Sequence, residues 1–295
     1  MSKKSFFIYL VLFVSTFFVA DRVANIFLEE GLNQYYGIGV PNEIALVGHS
    51  HLMLGIDKLQ LEEALSNKVS KYTREGVNVS DRMIMINQLI DKNPNLKTII
   101  YGVDAWTFTG EGLSKNSYKL FYPFLDDKNI EKYVYENSDR LDFISKKYIK
   151  SSRYNEQLLS GAMRGYLKKW DNLKYGIVDT LKLLKKIEKG TYRKINNNEN
   201  NIKLFKETLE LLKQKDIKVI LLYVPTIDKL EKIQQEKFDK TIKIFRDQVS
   251  DKVEFVNLQE PWSNRHELFY DPIHLNPKGQ KQITAELIKY IKPNN

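Results

Sequence analysis

The sequence contains no cysteine, so neither a disulfide bond nor a thiolate metal site can form within this chain. The absence does not fix the cellular compartment, although it suits a chain exported through an oxidising space. No basic stripe interleaved with aromatic residues and no known reader motif stands out, which argues against nucleic-acid binding. The sequence also has no visible internal repeat.

The charge balance is basic, with 46 lysines and arginines against 37 acidic residues and a net charge of +9. A lysine-rich solvated surface explains this excess most simply. An acidic partner, such as an anionic membrane face or an anionic polymer, is the alternative. Apolar residues make up 42% of the chain, which supports one large α/β domain or two small ones.

A single long apolar run lies at the N-terminus. Lys3 and Lys4 precede an uncharged stretch, residues 6–20, and Asp21 and Arg22 close it. A helix of this length spans about 22 Å, which is shorter than the roughly 30 Å hydrocarbon core of a bilayer. Its length therefore fits a signal-peptide core as well as a thin membrane anchor.

We favour an uncleaved signal anchor over residues 1–24, because Phe18 occupies a position where signal-peptide cleavage needs a small residue. The apolar stretch after Arg22 can extend the helix into the interface. A buried helix of a cytosolic protein is the alternative, but such a helix should be amphipathic. With the lysines held in the cytoplasm, we expect a single-pass membrane protein whose remaining chain is extracytoplasmic.

After a predicted linker over residues 25–42, apolar runs alternate with amphipathic stretches, which predicts a parallel sheet covered by helices. We expect an α/β domain over residues 43–292, with a doubly wound, mostly parallel five-stranded sheet in a three-layer sandwich. Residues from about 110 to 200 show helical patterns without a strong strand, which predicts a helical insertion or lid. The strands are predicted within EIALVG, KVSKYTREGVNVS, LKTIIYGVDAWTF, IKVILLYVPT and VEFVNL.

Ser50 follows the first predicted strand directly, in the stretch ALVGHSHLMLGID. Ligands of such sheets bind at the carboxyl ends of the strands. Backbone N–H groups at this turn and the start of the next helix would favour a developing oxyanion. Serine alone is a poor nucleophile and needs a neighbouring base.

A candidate base lies near the other end of the chain, in FYDPIHLNPKGQ. Asp271 and His274 are three positions apart, so one loop can hold the carboxylate against the imidazole. The aspartate would fix the tautomer and stabilise the imidazolium, and the histidine would accept the serine proton.

These motifs resemble the SGNH (GDSL-type) hydrolase superfamily, which combines a G-x-S turn after the first strand with D-x-x-H before the last helix. The usual first block reads G-D-S, and here it is Gly48-His49-Ser50. The resemblance implies an SGNH or flavodoxin-like three-layer fold and makes Ser50 the nucleophile. It assigns Asp271 and His274 to the other two members of the catalytic triad.

Two blocks depart from the family pattern. The second block normally supplies a glycine N–H to the oxyanion hole, and here Gly76 and Asn78 are only nearby candidates. The third block normally reads G-x-N-D, and its asparagine is replaced by Asp104, whose carboxylate would repel an oxyanion. We therefore expect Asp104 to be protonated or to play a different role, and Asn78 is a candidate substitute donor. His51 is expected to orient substrate or to cap the helix.

The N-terminal anchor and the stretches GHSHLMLGID and GVDAWTF resemble one branch of the superfamily, the membrane-anchored SGNH-like proteins of cell-envelope polymer modification. That branch includes alginate acetylation proteins and D-alanyl-lipoteichoic acid transfer proteins. It implies a bacterial cell-membrane location and serine-dependent O-acyl transfer or ester hydrolysis on a surface polysaccharide or envelope polymer. It also implies a multi-span acyltransferase as a partner and no cofactor.

The superfamily resemblance covers about residues 43–108 and 202–292 and leaves the helical middle uncovered. One alternative is a catalytically weak SGNH-like module that binds glycan or scaffolds a membrane acyltransferase. A cytosolic esterase is a third interpretation. Fold alone does not choose between them.

Other candidate residues have less specific patterns. His49 and His51 alternate, so on an extended segment they would point in opposite directions, and we predict no metal site there. His266 is expected on the surface or in a loop. Three tryptophans either pack in the core or stack on sugar rings: Trp106, Trp170 and Trp262.

Overall fold

A computed structural model describes residues 2–110 and 115–292. The chain forms two compact units, one of residues 1–35 and 118–169 and the other of residues 36–117 and 170–295. The predicted helical insertion is therefore divided, because its last part belongs to the unit that contains the sheet. Residues 111–114, at the start of the predicted insertion, lie outside the described residues.

The secondary structure alternates as the sequence predicts in the second unit. The strands are β1 Ile44–Gly48, β2 Val69–Thr73, β3 Thr98–Val103, β4 Lys218–Tyr223 and β5 Val253–Asn257. The α-helices are α1 Lys3–Tyr36, α2 Ser50–Gly55, α3 Lys58–Leu65, α4 Val79–Lys92, α5 Lys128–Asn137, α6 Arg140–Tyr148, α7 Glu156–Tyr166, α8 Thr180–Glu188, α9 Glu199–Gln214, α10 Asp228–Lys232, α11 Gln235–Arg246 and α12 Pro277–Ile291.

The five strands form one parallel sheet in the order β2-β1-β3-β4-β5, which confirms the predicted fold class. β1 is an internal strand, with Val47 opposite Tyr72 of β2 on one side and Tyr101 of β3 on the other. The strand order reverses between β1 and β3. In doubly wound sheets, that switch point opens the crevice in which ligands bind.

Alternate residues of each strand enter the two helical layers. Leu46 and Ile100 belong to the same buried cluster as Leu61 of α3 and Ile283 of α12. Tyr101, one position along β3, faces the other layer and makes an edge contact with Phe205 of α9. This period of two explains why both faces of the sheet are apolar.

The first unit contains α1, which continues as one helix to Tyr36, so the linker predicted over residues 25–42 is wrong for most of its length. Gly31 does not break the helix, because its missing side chain allows a close crossing with α7. A Cβ atom at Gly31 would lie 2.4 Å from the carbonyl oxygen of Ala162, and one at Gly165 would lie 1.9 Å from that of Gly31. Small residues at a crossing let two helix backbones approach closely.

Within the described residues, α1 alone has the length and composition to cross a membrane, a property that a signal sequence shares.

Candidate active site

Ser50 is placed by two glycines at the ends of neighbouring strands. Gly48 ends β1, and Gly102 lies beside it on β3, with Leu52 of α2 packed over both. A Cβ atom at Gly102 would lie 2.8 Å from the Cβ of Leu52, so a larger residue there would push α2 off the sheet. The close approach lets the helix begin at Ser50, immediately after the strand.

The structure brings Ser50 together with the two residues from the end of the chain, although 224 positions separate Ser50 from His274. The Ser50 Oγ lies 2.9 Å from Nε2 of His274, and Nδ1 of His274 lies 2.8 Å from Oδ2 of Asp271. An ionised carboxylate only accepts hydrogen bonds, so the imidazole donates through Nδ1. Its Nε2 is then free to accept the serine hydroxyl proton.

The loop that carries Asp271 and His274 is fixed by its own hydrogen bonds. Oδ1 of Asp271 accepts the backbone N–H groups of Ile273 and His274, at 2.8 and 2.9 Å. Asn276 caps α12 and also donates its side-chain amide to the carbonyl of Glu267. The turn therefore holds the carboxylate against the imidazole before any substrate binds.

The electrostatics of this loop favour an ionised Asp271. Burial alone would raise the pKa of Asp271, but the hydrogen bond and charge of His274 and the backbone donors hold it below its ordinary value. An ionised Asp271 can stabilise the imidazolium of His274 when that ring accepts a proton.

A second imidazole–carboxylate pair lies behind the serine, formed by His49 and Asp104. Nε2 of His49 lies 2.7 Å from Oδ2 of Asp104, and both side chains are buried. Nδ1 of His49 accepts the backbone N–H of His51, so this histidine is the N-cap of α2. The cap leaves the imidazole proton on Nε2, where it faces the carboxylate.

Asp104 is ionised in this pair and His49 is neutral. Burial would raise the pKa of Asp104, but His49, His51 and Arg193 hold it well below its ordinary value. Burial lowers the pKa of His49, against the opposing effect of Asp104. Asp104 also accepts the backbone N–H of Trp106 at 2.9 Å. Its carboxylate is therefore a structural partner of His49, which answers the sequence-based question of its role.

His51 is not directed at substrate. Its ring is buried, and Nε2 lies 3.1 Å from the carbonyl oxygen of Pro225, to which it donates. Its Nδ1 lies 3.7 Å from Oδ2 of Asp104. Burial, the largest effect, lowers the pKa of His51 to about 4, although Asp104 opposes the shift. The ring is therefore neutral at neutral pH and braces the turn.

His51, Asn78 and Asp104 were predicted to bind the oxyanion or the substrate, and this prediction is wrong for His51 and Asp104. His51 and Asp104 are buried and already engaged, so neither presents a donor to an oxyanion. The expectation that His49 and His51 diverge is also wrong, because the chain turns into α2 between them and both rings approach Asp104. Their rings stack with centroids 5.9 Å apart.

Asn78 is the N-cap of α4, in the loop after β2. Its Oδ1 accepts the backbone N–H of Asp81, whose side chain accepts the N–H of Asn78 in return. This capping box explains the residue without a catalytic role. Asn78 is half-buried, and the side-chain hydrogen bonds that it makes among the described residues are those of this capping box and one accepted from the Ser80 hydroxyl.

The polar network continues beyond the residues predicted from the sequence. Glu231 is buried and accepts the hydroxyl of Tyr223 at 2.6 Å, together with hydrogen bonds from Thr226 and Gln259. Burial raises the pKa of Glu231 to about 7, although the Thr226 and Tyr223 hydrogen bonds oppose the shift. The signal that could have found this region is the position of Pro225 and Thr226, directly after the carboxyl end of β4.

Arg82 was also missed, because an arginine in an amphipathic helix looks like a surface residue. Its side chain is fully buried, and its Nη1 donates to the carbonyl of Gly102 at 2.9 Å. It therefore supports the end of β3, two positions before Asp104.

The remaining candidates have structural contacts. Trp106 is buried in the core and donates its indole N–H to the carbonyl of Arg193, which excludes it as a surface for sugar stacking. Trp170 and Trp262 are half-buried beneath the cations of Lys58 and Arg265. His266 begins a short 3₁₀ turn, and its Nε2 lies 3.0 Å from Oδ1 of Asp228.

Comparison with known proteins gives only distant structural similarity. No family model and no curated protein matches the sequence. A structure from Streptococcus pneumonia, provisionally described as a platelet activating factor, aligns over 96% of this chain and 98% of its own, with 11% identity and a TM-score of 0.45. A GDSL-like lipase from Bacteroides thetaiotaomicron aligns over 85% of this chain and 87% of its own, with 11% identity and a TM-score of 0.42. We therefore assign the fold from its strand order and describe the site from its own distances.

Proposed function

We propose that this chain is an SGNH-type serine enzyme that transfers or hydrolyses acyl groups on a cell-surface polysaccharide or envelope polymer. One observation carries the proposal, namely the continuous chain of hydrogen bonds from Ser50 through His274 to Asp271. The unprotonated Nε2 of His274 faces the Ser50 hydroxyl. Asp271 stabilises the tautomer in which the proton is on Nδ1 and Nε2 is unprotonated. A binding module has no need of this arrangement.

The reaction follows from these positions. The Ser50 Oγ attacks the acyl carbonyl carbon while Nε2 of His274 accepts the hydroxyl proton. The same proton passes to the leaving alcohol, which departs and leaves an acyl group on Ser50. Water or a sugar hydroxyl then gives its proton to His274 and attacks the ester. The bond between the acyl carbon and the Ser50 Oγ then breaks, and His274 returns the proton to that oxygen, which completes either hydrolysis or transfer.

Of the first two backbone N–H groups of α2, only one is open to an oxyanion. The backbone N–H of Ser50 is at the first position of α2, where a helix supplies no acceptor. The next N–H, from His51, is already taken by His49. Loss of one oxyanion donor typically costs about 10²–10³ in kcat. We therefore expect slow hydrolysis of simple esters, which suits an enzyme whose acceptor is a specific polymer hydroxyl.

The proposal includes an extracytoplasmic location in a bacterial cell membrane. Lys3 and Lys4 precede the apolar part of α1, and the positive-inside rule favours keeping them in the cytoplasm. The polymer substrate and a multi-span membrane acyltransferase as partner come from the sequence resemblance alone. A cleaved signal sequence would remove the membrane tether and leave the chemistry unchanged.

The test is labelling of the full chain with a fluorophosphonate probe. We expect wild type and Ser250→Ala to be labelled and Ser50→Ala to be unlabelled, because Ser250 lies in the exposed loop before β5. Labelling of Ser50→Ala equal to wild type would remove Ser50 from the mechanism. Absence of labelling in all three proteins would favour the weak glycan-binding module.

A second experiment separates transfer from hydrolysis. The enzyme is incubated with an oligosaccharide and a nitrophenyl ester whose acetyl group is isotopically labelled, and mass spectrometry shows whether the label reaches the oligosaccharide.

A further inference from the structure

The exposed face of α1 is longer than its uncharged stretch. Residues 6–20 span only about 22 Å as a helix. Beyond Arg22, however, the side chains of Val23, Ile26 and Phe27 are all exposed. An apolar face from residue 6 to residue 27 spans about 33 Å, which matches the roughly 30 Å hydrocarbon core of a bilayer.

Two polar residues of the same stretch, Asp21 and Asn25, are turned away from that face, whereas the Arg22 side chain is 41% exposed. Asp21 and Asn25 are 4% and 3% exposed. The carboxylate of Asp21 accepts the backbone N–H groups of Lys150 and Ser151, at 2.9 and 2.7 Å. Tyr154 donates its hydroxyl to Oδ1 of Asn25 at 3.1 Å. Buried protein contacts of this kind are what a polar group needs at membrane depth.

The helix just before these contacts, α6, carries an unpartnered apolar face. Leu141, Ile144 and Tyr148 follow the i, i+3, i+7 spacing of one helix side and are 78%, 49% and 61% exposed. Ile149, the C-cap, is exposed as well. Phe143, on the other side of the helix, is buried.

This face is tied to α1 at Asp21 and Arg22, between one and two helical turns before the end of the apolar face at residue 27. Nη1 of Arg22 donates to the carbonyl of Tyr148 at 3.2 Å, and Asp21 binds the two residues after Ile149. The end of α6 is therefore fixed at the same level along α1 as Arg22. An apolar face held there continues the apolar face of α1.

We propose that α6 lies in the interface of the membrane that α1 crosses, with Leu141, Ile144, Tyr148 and Ile149 against lipid. The proposal rests on the membrane anchor of the proposed function. Lys146 and Lys147 in the last turn of α6 pair with Asp142 and Glu131, so the charged side of the helix is neutralised within the protein and its apolar side is left for lipid. The contact would fix the depth of the first unit at the bilayer surface rather than leave α1 as a simple tether.

The absence of cysteine permits a direct test with single introduced cysteines. The full-length variants Leu141→Cys and Ile144→Cys carry an environment-sensitive NBD label and are reconstituted in phosphatidylcholine–phosphatidylglycerol vesicles. We expect blue-shifted, brighter emission than in Glu136→Cys, whose side chain is exposed on α5. Lipids with a doxyl group near the headgroup should quench the two α6 labels and leave the α5 label unaffected.

A label at Val14→Cys, in the middle of the apolar run, separates the two proposals. Quenching of that label by a deep doxyl lipid, with water-like emission at positions 141 and 144, would overturn the α6 proposal and leave the anchor standing. Water-like emission at position 14 would overturn the anchor itself. Blue-shifted emission at positions 141 and 144 without quenching by lipid would mean that protein, not lipid, covers α6, and it would also overturn the proposal.

Discussion

Two imidazole–carboxylate pairs meet at the carboxyl edge of the sheet, and they differ mainly in their access to solvent. In the pair on the loop before α12, the side chains of His274 and Asp271 are 16% and 35% exposed. In the pair between β1 and β3, those of His49 and Asp104 are 9% and 0% exposed. The same two residue types therefore occur in an open and a closed setting around one serine.

This difference in solvent access indicates different roles for the two pairs. The open pair ends at the Ser50 hydroxyl and can exchange protons with substrate and water. Both nitrogens of His49, in contrast, are already engaged, one by the backbone of α2 and the other by Asp104. The closed pair therefore ties the start of α2 to the end of β3, and His49 and Asp104 are positioning residues for Ser50.

The largest expected effect comes from the open pair. His274→Ala removes the base and should lower kcat/KM for a nitrophenyl ester by about 10⁴-fold or more, as loss of a triad member does in other serine enzymes. Because Asp271 remains partly solvated, the free energy of unfolding should change by less than about 1 kcal/mol. Steady-state kinetics and chemical denaturation in detergent measure the two quantities.

A matched control for that variant is His266→Ala, which breaks the other partly exposed histidine–aspartate contact, to Asp228. It should retain nearly full activity. If His266→Ala lost as much activity as His274→Ala, the assignment of the open pair as the catalytic one would be wrong.

The closed pair should show the reverse pattern, with stability affected most. His49→Ala leaves the buried Asp104 carboxylate without its nearest partner and removes the N-cap of α2. Stranding a buried charge costs about 3–5 kcal/mol, so we expect a loss of that size in the free energy of unfolding. Thermal and chemical denaturation check the loss, and the residual folded protein should bind the fluorophosphonate probe more slowly.

The double variant His49→Ala/Asp104→Asn sharpens this test, because it removes the stranded charge. It should be more stable than His49→Ala alone. Additive losses from the two single substitutions would show that the residues do not interact, since a double-mutant cycle isolates their coupling.

The open pair could be predicted from sequence and the closed pair could not. Ser50, Asp271 and His274 follow from strand–helix alternation and from the rule that ligands bind at carboxyl ends of strands. The partnership of His49 and Asp104 depends on two facts of geometry. His51 lies in the first turn of α2, behind the extended N-cap His49, and β3 pairs beside β1. The spacing of residues along the sequence predicts neither the backbone dihedral angles at this turn nor the order of the strands.

The fold shows a similar division. The short apolar runs and the helical patterns predicted the five strands and most helices of the second unit. The continuation of α1 through Gly31 was missed because glycine usually signals a break, and only the contact with Ala162 explains its place in the helix. Arg82 and Glu231 were missed because burial of a charged residue depends on tertiary partners.

The smallest expected effect is on the pH dependence of the free energy of unfolding, and it tests whether water is excluded from the buried turn behind Ser50. His51 has a pKa of about 4 in the folded chain, against an ordinary value of 6.5. Between these pH values the unfolded chain binds the proton more readily than the folded chain. The free energy of unfolding is therefore highest above pH 6.5 and falls as the pH decreases toward 4. His49 acts in the same direction, because its pKa is also lowered.

His51→Gln removes one titrating ring and keeps an N–H donor for the Pro225 carbonyl. The free energy of unfolding should fall between pH 7 and pH 4.5 in both proteins. We expect the fall to be about 2–3 kcal/mol smaller in this variant than in wild type, because that is the free energy equivalent to the lowered pKa of His51. Denaturation curves at the two pH values provide the measurement. An equal loss in both proteins would mean that His51 titrates normally, so that water reaches the turn behind Ser50 and the region is not closed. A smaller loss in the variant would show that burial keeps the His51 ring unprotonated in the folded chain, because glutamine can replace its hydrogen bond but cannot be protonated.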